Sequence, residues 1–334
     1  EALYEGQEFY ACILDEAQAI KNHTTQKYKA VCKVRSRVRF ALTGTPVENR
    51  LGELWSIFSF LMPGYLPPYK SFCSRFEKPI VQEEDQTAVR RLNQLTGPFI
   101  LRRMKSDVLK ELPPKTENVY RIELEEEQRK LYLAAVVDAR EKLQAAKPED
   151  KMAVFAVLMR LREICCDPRL IADNWTGGSA KLDACVELVS SAVEGGHRIL
   201  LFSQFTSMLE LLAKRLDAEG ISHFTLQGST PKPVRAELVR RFNGGEVSVF
   251  LISLRAGGTG LNLTAADIVI HYDPWWNVAA QNQATDRAYR IGQQNPVQVY
   301  KLIAQDTIEE KIVELQQAKQ SLADTVTGTA DGAI

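Results

Sequence analysis

Short apolar segments alternate with helical segments through the second half of the sequence. Strands that alternate with helices form parallel sheets, because the return to a parallel neighbour needs a crossover connection, usually a helix. Helical stretches at 205–218, 231–242 and 278–289 lie among the candidate strands, which read HRILLFS, ISHFTLQ, VSVFLIS, ADIVIHYD and VQVYKLI. This order predicts a complete doubly wound α/β domain over residues 176–305.

The first hundred residues contain a shorter α/β pattern. Residues 10–14 form an apolar run without two-residue alternation, which is typical of a strand covered on both faces. A helical stretch to about residue 35, the apolar run VRFALTG and an amphipathic helix that stops at Pro63 and Gly64 follow. Since only two candidate strands occur here, we expect the chain to begin in the middle of its first α/β domain, residues 1–98.

Three further segments depart from this pattern. Prolines, aromatic residues and the acidic run EED at about 64–98 predict an insertion that leaves the first sheet. The stretch 99–120 is predicted to be a linker between the domains, and residues 121–175 contain two helical segments that predict a helical hairpin. Residues 306–334 are expected to form a terminal helix and tail.

Composition excludes some functional classes. The 42 Lys and Arg balance the 42 Asp and Glu, which excludes a uniformly basic nucleic-acid coat but not a local basic groove. The longest apolar run, around VSVFLISL, is far short of a bilayer span, so we expect a soluble protein with no membrane partner. Six cysteines without a CxxC pair and four scattered histidines predict reduced thiols and no histidine metal site.

Two acidic residues follow the first candidate strand. Asp15 and Glu16 would lie at the carboxyl edge of a parallel sheet, where the ligands of such sheets bind. An Asp that holds Mg²⁺ beside a Glu that activates water fits this position. A pair of surface acids at the end of a strand is the alternative.

Two later segments carry residues suited to binding phosphate. A buried strand runs into Gly257, Gly258 and Gly260, whose backbone can approach a phosphate closely, although a plain tight turn is the alternative. Ser229 or Thr230 is predicted to cap a helix that has proline early in its first turn. The free N–H groups of such a helix end bind anions, DNA phosphate included, whereas an ordinary capped surface helix binds none.

Two arginines are spaced three residues apart near the end of the predicted 278–289 helix. Arg287 and Arg290 would therefore lie on one helix face. Such a pair beside a domain boundary can act as arginine fingers on a phosphate. A solvated charged helix face is the alternative.

The order of these features resembles one family. From the acidic strand end to the arginine segment, the chain resembles the SWI/SNF-type ATPases of helicase superfamily two. The segments that carry the resemblance are LTGTPVENRLGELWSIFSFLMPG, FILRRMKSDVLKELPPK, RILLFSQFTSML, LQGSTPKPVRAELVRRF, FLISLRAGGTGLNLTAAD and HYDPWWNVAAQNQATDRAYRIGQ. The resemblance implies an α/β fold of tandem RecA-like helicase lobes, the first partial and the second complete, with α-helical insertions.

The resemblance also implies roles for individual residues. Catalysis with ATP and Mg²⁺ would involve Asp15 as the metal ligand, Glu16 as the base, and Gln283, Arg287 and Arg290. Coupling of ATP to motion would involve Gln18, Thr43, Gly44 and Thr45, and nucleotide contacts would include Gly258 and Gly260. DNA contacts would be Ser203, Gln204, Ser229, Thr230, Thr259 and Trp276.

The sequence departs from the family pattern at three points. Gln18 stands where many members have His, and Tyr289 replaces a His between the arginines. No G-x-x-x-x-G-K-S/T phosphate loop occurs in the sequence, so we expect the chain to be part of a longer protein and to be nearly inactive when isolated. The segment IEEKIVELQQAKQSLADTV resembles the family's brace helix.

The resemblance predicts an ATP-dependent translocase on double-stranded DNA that does not separate the strands. We expect a monomer that acts on nucleoprotein complexes or RNA polymerase, in the nucleoid-associated cytoplasm of a prokaryote or the nucleus of a eukaryote. Two alternatives remain open: a non-catalytic module that docks DNA or protein, and a translocase associated with RNA polymerase.

Overall fold

The computed structural model describes residues 6–44, 50–103, 108–145, 151–257 and 260–327. The chain divides into two compact units. Unit 1 comprises residues 1–104 with 316–334, and unit 2 comprises residues 105–315. No helix in the described ranges is both long enough and apolar enough to cross a membrane.

Unit 1 contains a two-stranded parallel sheet in its described part. Strands β1 (Glu8–Leu14) and β2 (Arg35–Ala41) pair in register from Glu8 with Arg35 to Leu14 with Ala41, and α1 (Gln26–Cys32) connects them. The expectation that β1 is covered on both faces is not met within the described residues, because the side chains of Tyr10 and Ile13 are 76% and 61% exposed. A strand is buried on both faces only where helices pack on both, and the exposure of Tyr10 and Ile13, which point to opposite faces, shows that neither face is fully covered by the described residues.

The rest of the described part of unit 1 is mainly helical. Helix α2 (Leu51–Leu61) is followed by α3 (Tyr69–Phe72), a π-helical turn (Cys73–Glu77), α4 (Lys78–Gln82) and α5 (Gln86–Thr96). Leu54, Phe58, Phe72 and Leu92 pack together as the apolar core of these helices. The segment predicted to leave the sheet thus forms a small helical cluster against α2.

Unit 2 is built on a six-stranded parallel sheet with the order β3-β8-β7-β4-β6-β5. Its strands are β3 (Lys115–Ile122), β4 (Ile199–Ser203), β5 (His223–Leu226), β6 (Val249–Ser253), β7 (Ile268–His271) and β8 (Val297–Ala304). Five of them match the predicted runs. The sixth, β3, lies mostly in the stretch predicted to be a linker, because an edge strand that is exposed on both faces shows no apolar run.

Helices cover both faces of this sheet. They are α8 (Ala180–Glu194), α9 (Thr206–Ala218), α10 (Lys232–Asn243), α11 (Leu254–Gly257) and α12 (Val278–Thr285). Helix α13 (Ile308–Thr327) follows β8 and begins in this unit. Leu201 packs with Leu212 of α9 in one core cluster, whereas its neighbour Leu200 packs with Phe242 of α10 in another. Successive strand residues thus serve opposite faces, which confirms the doubly wound α/β domain.

A helical hairpin precedes α8, as predicted. Helices α6 (Glu126–Ala145) and α7 (Lys151–Cys166) pack together, and α7 ends just before Pro168. The hairpin is joined to the start of α13, because the Ile308 N–H donates a hydrogen bond of 2.8 Å to the Tyr132 hydroxyl. Beside this junction, the Lys181 ammonium of α8 and the Glu309 carboxylate of α13 form an ion pair with no solvent exposure.

Candidate functional site

The acidic residues Asp15 and Glu16 follow directly from β1 and are exposed at its carboxyl end. Glu16 has a left-handed backbone with φ of 51°, and its N–H donates to Asp15 Oδ1 over 2.9 Å. A non-glycine residue in this conformation costs free energy and is concentrated at functional sites. The two carboxylates are thus held at the sheet edge where the sequence predicts them.

A hydrogen-bonded chain runs from Glu16 to the end of β2. The side-chain amide nitrogen of Gln18 donates to Glu16 Oε2, and the Thr43 hydroxyl donates to Gln18 Oε1 over 2.7 Å. Backbone hydrogen bonds from Leu42 N–H to the Leu14 carbonyl and from Ala17 N–H to the Leu42 carbonyl hold the two strand ends together. The structure therefore brings Glu16, Gln18 and Thr43 into contact.

The predicted coupling motif also includes Gly44 and Thr45. Gly44 follows Thr43, and a Cβ at its position would meet no atom within 4 Å. Thr45, the last residue of the predicted coupling motif, lies outside the described residues.

In unit 2, a single buried carboxylate joins the ends of β4 and β7. Asp273 Oδ1 accepts hydrogen bonds from the Ser203 hydroxyl over 2.6 Å and from the Gln204 N–H over 3.1 Å. Ser203 is only 1% exposed, so its hydroxyl is engaged inside the unit. The predicted DNA contacts of Ser203 and Gln204 remain predictions, and the structure gives both residues a bond to Asp273.

Arg162 of α7 reaches into the same two loops. Its guanidinium donates to Gln204 Oε1 over 2.9 Å, to Asp273 Oδ2 over 3.0 Å and to the Pro274 carbonyl over 2.8 Å. Its Cζ also lies 5.2 Å from the ring centroid of Trp276, which is half-buried. Arg162 was not predicted from the sequence, where its only signal was its place as the second of two arginines in the mainly apolar stretch VLMRLREICC.

The predicted cap of the next helix is wrong. Helix α10 begins at Lys232 with Pro231 at its N-cap position and without a side-chain capping bond. Thr230 instead accepts a hydrogen bond from the Gln227 N–H over 3.1 Å, closing the turn that precedes the helix. Ser229 is exposed in that turn, so its predicted contact with DNA phosphate stays a prediction.

The glycine-rich segment is described only in part. Gly258 and Thr259 lie outside the described residues. Gly260 is exposed and has φ of 51°, a value that favours glycine. Its role in binding phosphate is consistent with this conformation and stays a prediction.

The arginine segment differs from the expected helix. Helix α12 ends at Thr285, so Arg287 and Arg290 lie in the turns that follow and do not share a helix face. The physical reason is a competing set of bonds: Leu263 N–H donates to the Arg287 carbonyl over 3.0 Å, and the Arg290 guanidinium donates to the Leu261 carbonyl over 3.2 Å. The glycine-rich loop and the arginine segment are therefore tied together.

Contacts of α12 fix this segment on the sheet. The His271 ring at the end of β7 is hydrogen-bonded through Nε2 to the Thr285 hydroxyl at 2.9 Å. Burial lowers the pKa of His271 to about 3, and nearby Lys301 adds to the effect, so the ring is neutral. Gln283, a predicted catalytic residue, is half-buried on α12.

The segment is closed by a residue that sequence reasoning missed. Gln293 is buried, and its amide nitrogen donates to the carbonyls of Ala266 and Ala288 over 2.7 and 3.1 Å. The only sequence signal was its place in the motif that ends RIGQ.

Within the described part of the chain, no group of three or more His, Cys, Asp or Glu side chains is arranged to hold a metal ion. Mg²⁺ in phosphate sites is typically held by one or two carboxylates together with phosphate and water. The exposed carboxylate of Asp15 provides the hard oxygen donor that such a site requires.

Comparisons with known proteins agree with this arrangement. The SNF2-related domain family matches residues 2–170, and the helicase conserved C-terminal domain family matches residues 180–292. The chain is similar to the SWI2/SNF2 ATPase core of Sulfolobus solfataricus in complex with double-stranded DNA, with 35% identity and a TM-score of 0.56 over 98% of this chain and 71% of that one. This likeness confirms an α/β fold of RecA-like helicase lobes.

Curated relatives point the same way. An uncharacterized ATP-dependent helicase of Mycoplasma genitalium is 40% identical over 94% of this chain and 30% of its own length. The putative ATP-dependent helicase/translocase YwqA of Bacillus subtilis is 42% identical over 94% of this chain and 35% of its own length. The chain thus spans about a third of the length of these relatives. By its matching family models and its relatives, the chain belongs to the SNF2-related, SWI/SNF-type family of ATP-dependent helicases.

Proposed function

We propose that the protein containing this chain hydrolyses ATP to translocate along double-stranded DNA without separating the strands. The observation that carries the proposal is the hydrogen-bonded chain Glu16–Gln18–Thr43 at the carboxyl ends of two parallel strands. Ligands of open α/β sheets bind at this edge. A carboxylate held there by an amide, which is itself held by a hydroxyl, is suited to orient and deprotonate an attacking water.

Asp15 and Glu16 have different roles in this proposal. The Asp15 carboxylate is the protein ligand for Mg²⁺, which neutralises phosphate charge when it is bound. Glu16 is the general base, and its carboxylate accepts a hydrogen bond from the Gln18 amide. Gln18 also accepts a hydrogen bond from the Thr43 hydroxyl, so it links Glu16 with Thr43.

Arg287 and Arg290 contact the nucleotide phosphates during turnover in this proposal. Arginine is suited to this role because its guanidinium is always charged and binds phosphate with two parallel hydrogen bonds. The bond from the Arg290 guanidinium to the Leu261 carbonyl places this side chain beside the glycine-rich segment.

Double-stranded DNA is the proposed partner because the solved SWI2/SNF2 core similar to this chain is a complex with double-stranded DNA. The proposed contacts are the exposed Ser229 and the half-buried Trp276, together with the half-buried Gln204 and Thr230. Phosphate contacts give no sequence preference, so we expect binding that weakens steeply with salt and tolerates any duplex sequence.

Steady-state ATP turnover by the full-length protein tests the proposal. Rates are compared without nucleic acid and with duplex DNA, single-stranded DNA or RNA. We expect duplex DNA to stimulate turnover most and Arg290→Ala to lose the stimulated rate, whereas Arg240→Ala, on the exposed face of α10, keeps it. Turnover that no nucleic acid stimulates would favour the docking module instead, and preferential stimulation by RNA would contradict the choice of duplex DNA.

A further inference from the structure

We propose that Arg162 is a positioning residue that fixes two loops, residues 203–205 and residues 273–276, in the conformation that grips duplex DNA. The inference rests on the proposed function and deepens it by naming what controls the DNA-contacting loops. Arg162 lies on α7 of the helical hairpin, outside every segment that carries the family resemblance. The hairpin therefore sets the shape of the candidate DNA site.

The guanidinium of Arg162 has no solvent exposure, and three of its partners are acceptors in the two loops. It donates to Gln204 in the 203–205 loop, and to Asp273 and Pro274 in the 273–276 loop, at distances from 2.8 to 3.0 Å. These acceptors lie in different directions, and a planar guanidinium with five donors reaches them at once. A lysine ammonium is a single point and cannot span the same set.

Asp273 makes the arrangement a three-way junction. One carboxylate oxygen accepts from Ser203 and Gln204, and the other accepts from Arg162. Both side chains are fully buried, so neither charge can exchange its partner for water. A movement of α7 must therefore carry the 203–205 loop and the 273–276 loop with it.

Aromatic contacts extend the junction to the candidate DNA surface. The Arg162 Cζ lies 5.2 to 5.4 Å from the ring centroids of Phe205, Trp275 and Trp276. A cation over the faces of these rings restricts their orientation. Trp276, which is half-buried, is thus held in place from its inner side while its remaining surface is open.

A purely structural role is the competing explanation. Arg162 would then only balance the buried charge of Asp273. In that case a variant that removes both charges should match the unsubstituted protein in stability and in its response to DNA. Asn at position 273 keeps the oxygen that accepts from Ser203 and Gln204 but carries no charge. The double variant Arg162→Met with Asp273→Asn therefore removes the imbalance without restoring the links to Gln204 and Pro274.

The experiment compares four forms of the full-length protein: the unsubstituted form, Arg162→Lys, the double variant, and Arg160→Lys as a matched control. Arg160 lies on the same helix two residues earlier and is exposed. The readouts are the unfolding temperature, the ATP KM, the duplex concentration that half-maximally stimulates ATP turnover, and the ¹⁹F spectrum of protein labelled with fluorotryptophan. Trp276→Phe assigns the Trp276 resonance.

We expect Arg162→Lys to shift the Trp276 resonance and raise the half-maximal duplex concentration about tenfold, as for loss of a hydrogen bond to a charged group, without changing the ATP KM. The double variant should have the unfolding temperature of the unsubstituted protein but should still need a higher duplex concentration for half-maximal stimulation. The inference is wrong if Arg162→Lys responds to DNA like Arg160→Lys, or if the double variant matches the unsubstituted protein in both unfolding temperature and response to DNA. Either outcome leaves the proposed function standing. If duplex DNA does not stimulate ATP turnover by the unsubstituted protein, the proposed function is contradicted, and so is the inference that rests on it.

Discussion

The hydroxyl of Thr43, just after β2, donates a hydrogen bond of 2.7 Å to the side-chain oxygen of Gln18, just after β1. The amide nitrogen of Gln18 in turn donates to the Glu16 carboxylate. Because one amide group serves both partners, a change in the charge or position of Glu16 alters the bond to Thr43 directly. Gln18, which stands where many family members have His, can thus still connect the acidic motif at the end of β1 with the Thr43 motif at the end of β2.

Removal of the Thr43 hydroxyl tests this connection. We expect Thr43→Val in the full-length protein to lower the DNA-stimulated kcat for ATP about fivefold, the effect of losing one hydrogen bond, with little change in the ATP KM. Thr87→Val is the control, because Thr87 is exposed at the start of α5. Equal rates for the two variants would show that the bond to Gln18 has no part in turnover.

Glu16→Gln tests the general base. A glutamine keeps the size of the side chain but cannot take a proton, so we expect ATP turnover to fall by about a hundredfold or more. Glu84→Gln is a closely matched control, because Glu84 is also an exposed glutamate with a left-handed backbone, at φ of 52°. If Glu16→Gln retains more than a tenth of the turnover of that control, Glu16 is not the base.

His271 predicts a pH dependence of stability. Its pKa in the folded protein is about 3, because the ring is buried, whereas an exposed histidine has a pKa of about 6.5. Between these values the unfolded chain binds a proton that the folded protein does not, so stability falls as the pH falls from 6.5 toward 3. The contribution is about 1.4 kcal/mol per pH unit.

Denaturant unfolding at pH 7.0 and at pH 5.0 measures this term. We expect His271→Asn to reduce the pH dependence of the unfolding free energy by about one proton, compared with the unsubstituted protein. An identical pH dependence in the two proteins would mean that His271 is protonated in the folded state or does not titrate between the two conditions.

The buried ion pair between Lys181 and Glu309 predicts a stability effect that depends on which partner is removed. Lys181→Met leaves the Glu309 carboxylate buried without its counter-charge, so we expect a loss of about 3 kcal/mol in the unfolding free energy. Adding Glu309→Gln should recover most of this loss, since an amide oxygen can still accept from the Ala304 N–H.

Lys311→Met serves as the control for that series. Lys311 is exposed and pairs with Glu314 on the surface of α13, so its loss should cost less than about 1 kcal/mol. A Lys181→Met variant as stable as Lys311→Met would show that the buried pair adds nothing to stability.

The sequence predicted the core of unit 2 because strands buried on both faces read as unbroken apolar runs, such as the VFLIS of β6. It missed β3, because its residues KTENVYRI place three charged side chains on one face of an exposed edge strand and the polar Thr116 and Asn118 on the other. Pairing of β3 with β8 depends on residues about 180 positions away, which no local pattern records.

In the candidate site too, residues in local sequence motifs were predicted, whereas features that depend on distant contacts were missed. Asp15, Glu16, Gln18 and Thr43 were identified because each stands in a short local motif. Arg162 was not, since its function follows from contacts with residues 111 and 112 positions away. The end of α12 at Thr285 was also missed, because the bonds that compete with the helix come from the glycine-rich loop.

Displacement of a third strand from DNA tests the central claim most directly. The substrate is a duplex that carries a bound triplex-forming strand and a flanking duplex arm where the full-length protein can load. We predict that the protein with ATP releases the third strand and leaves the two duplex strands paired, and that the third strand stays bound when Glu16 is replaced by Gln. ATP hydrolysis that duplex DNA stimulates, but that never releases the third strand, would contradict translocation.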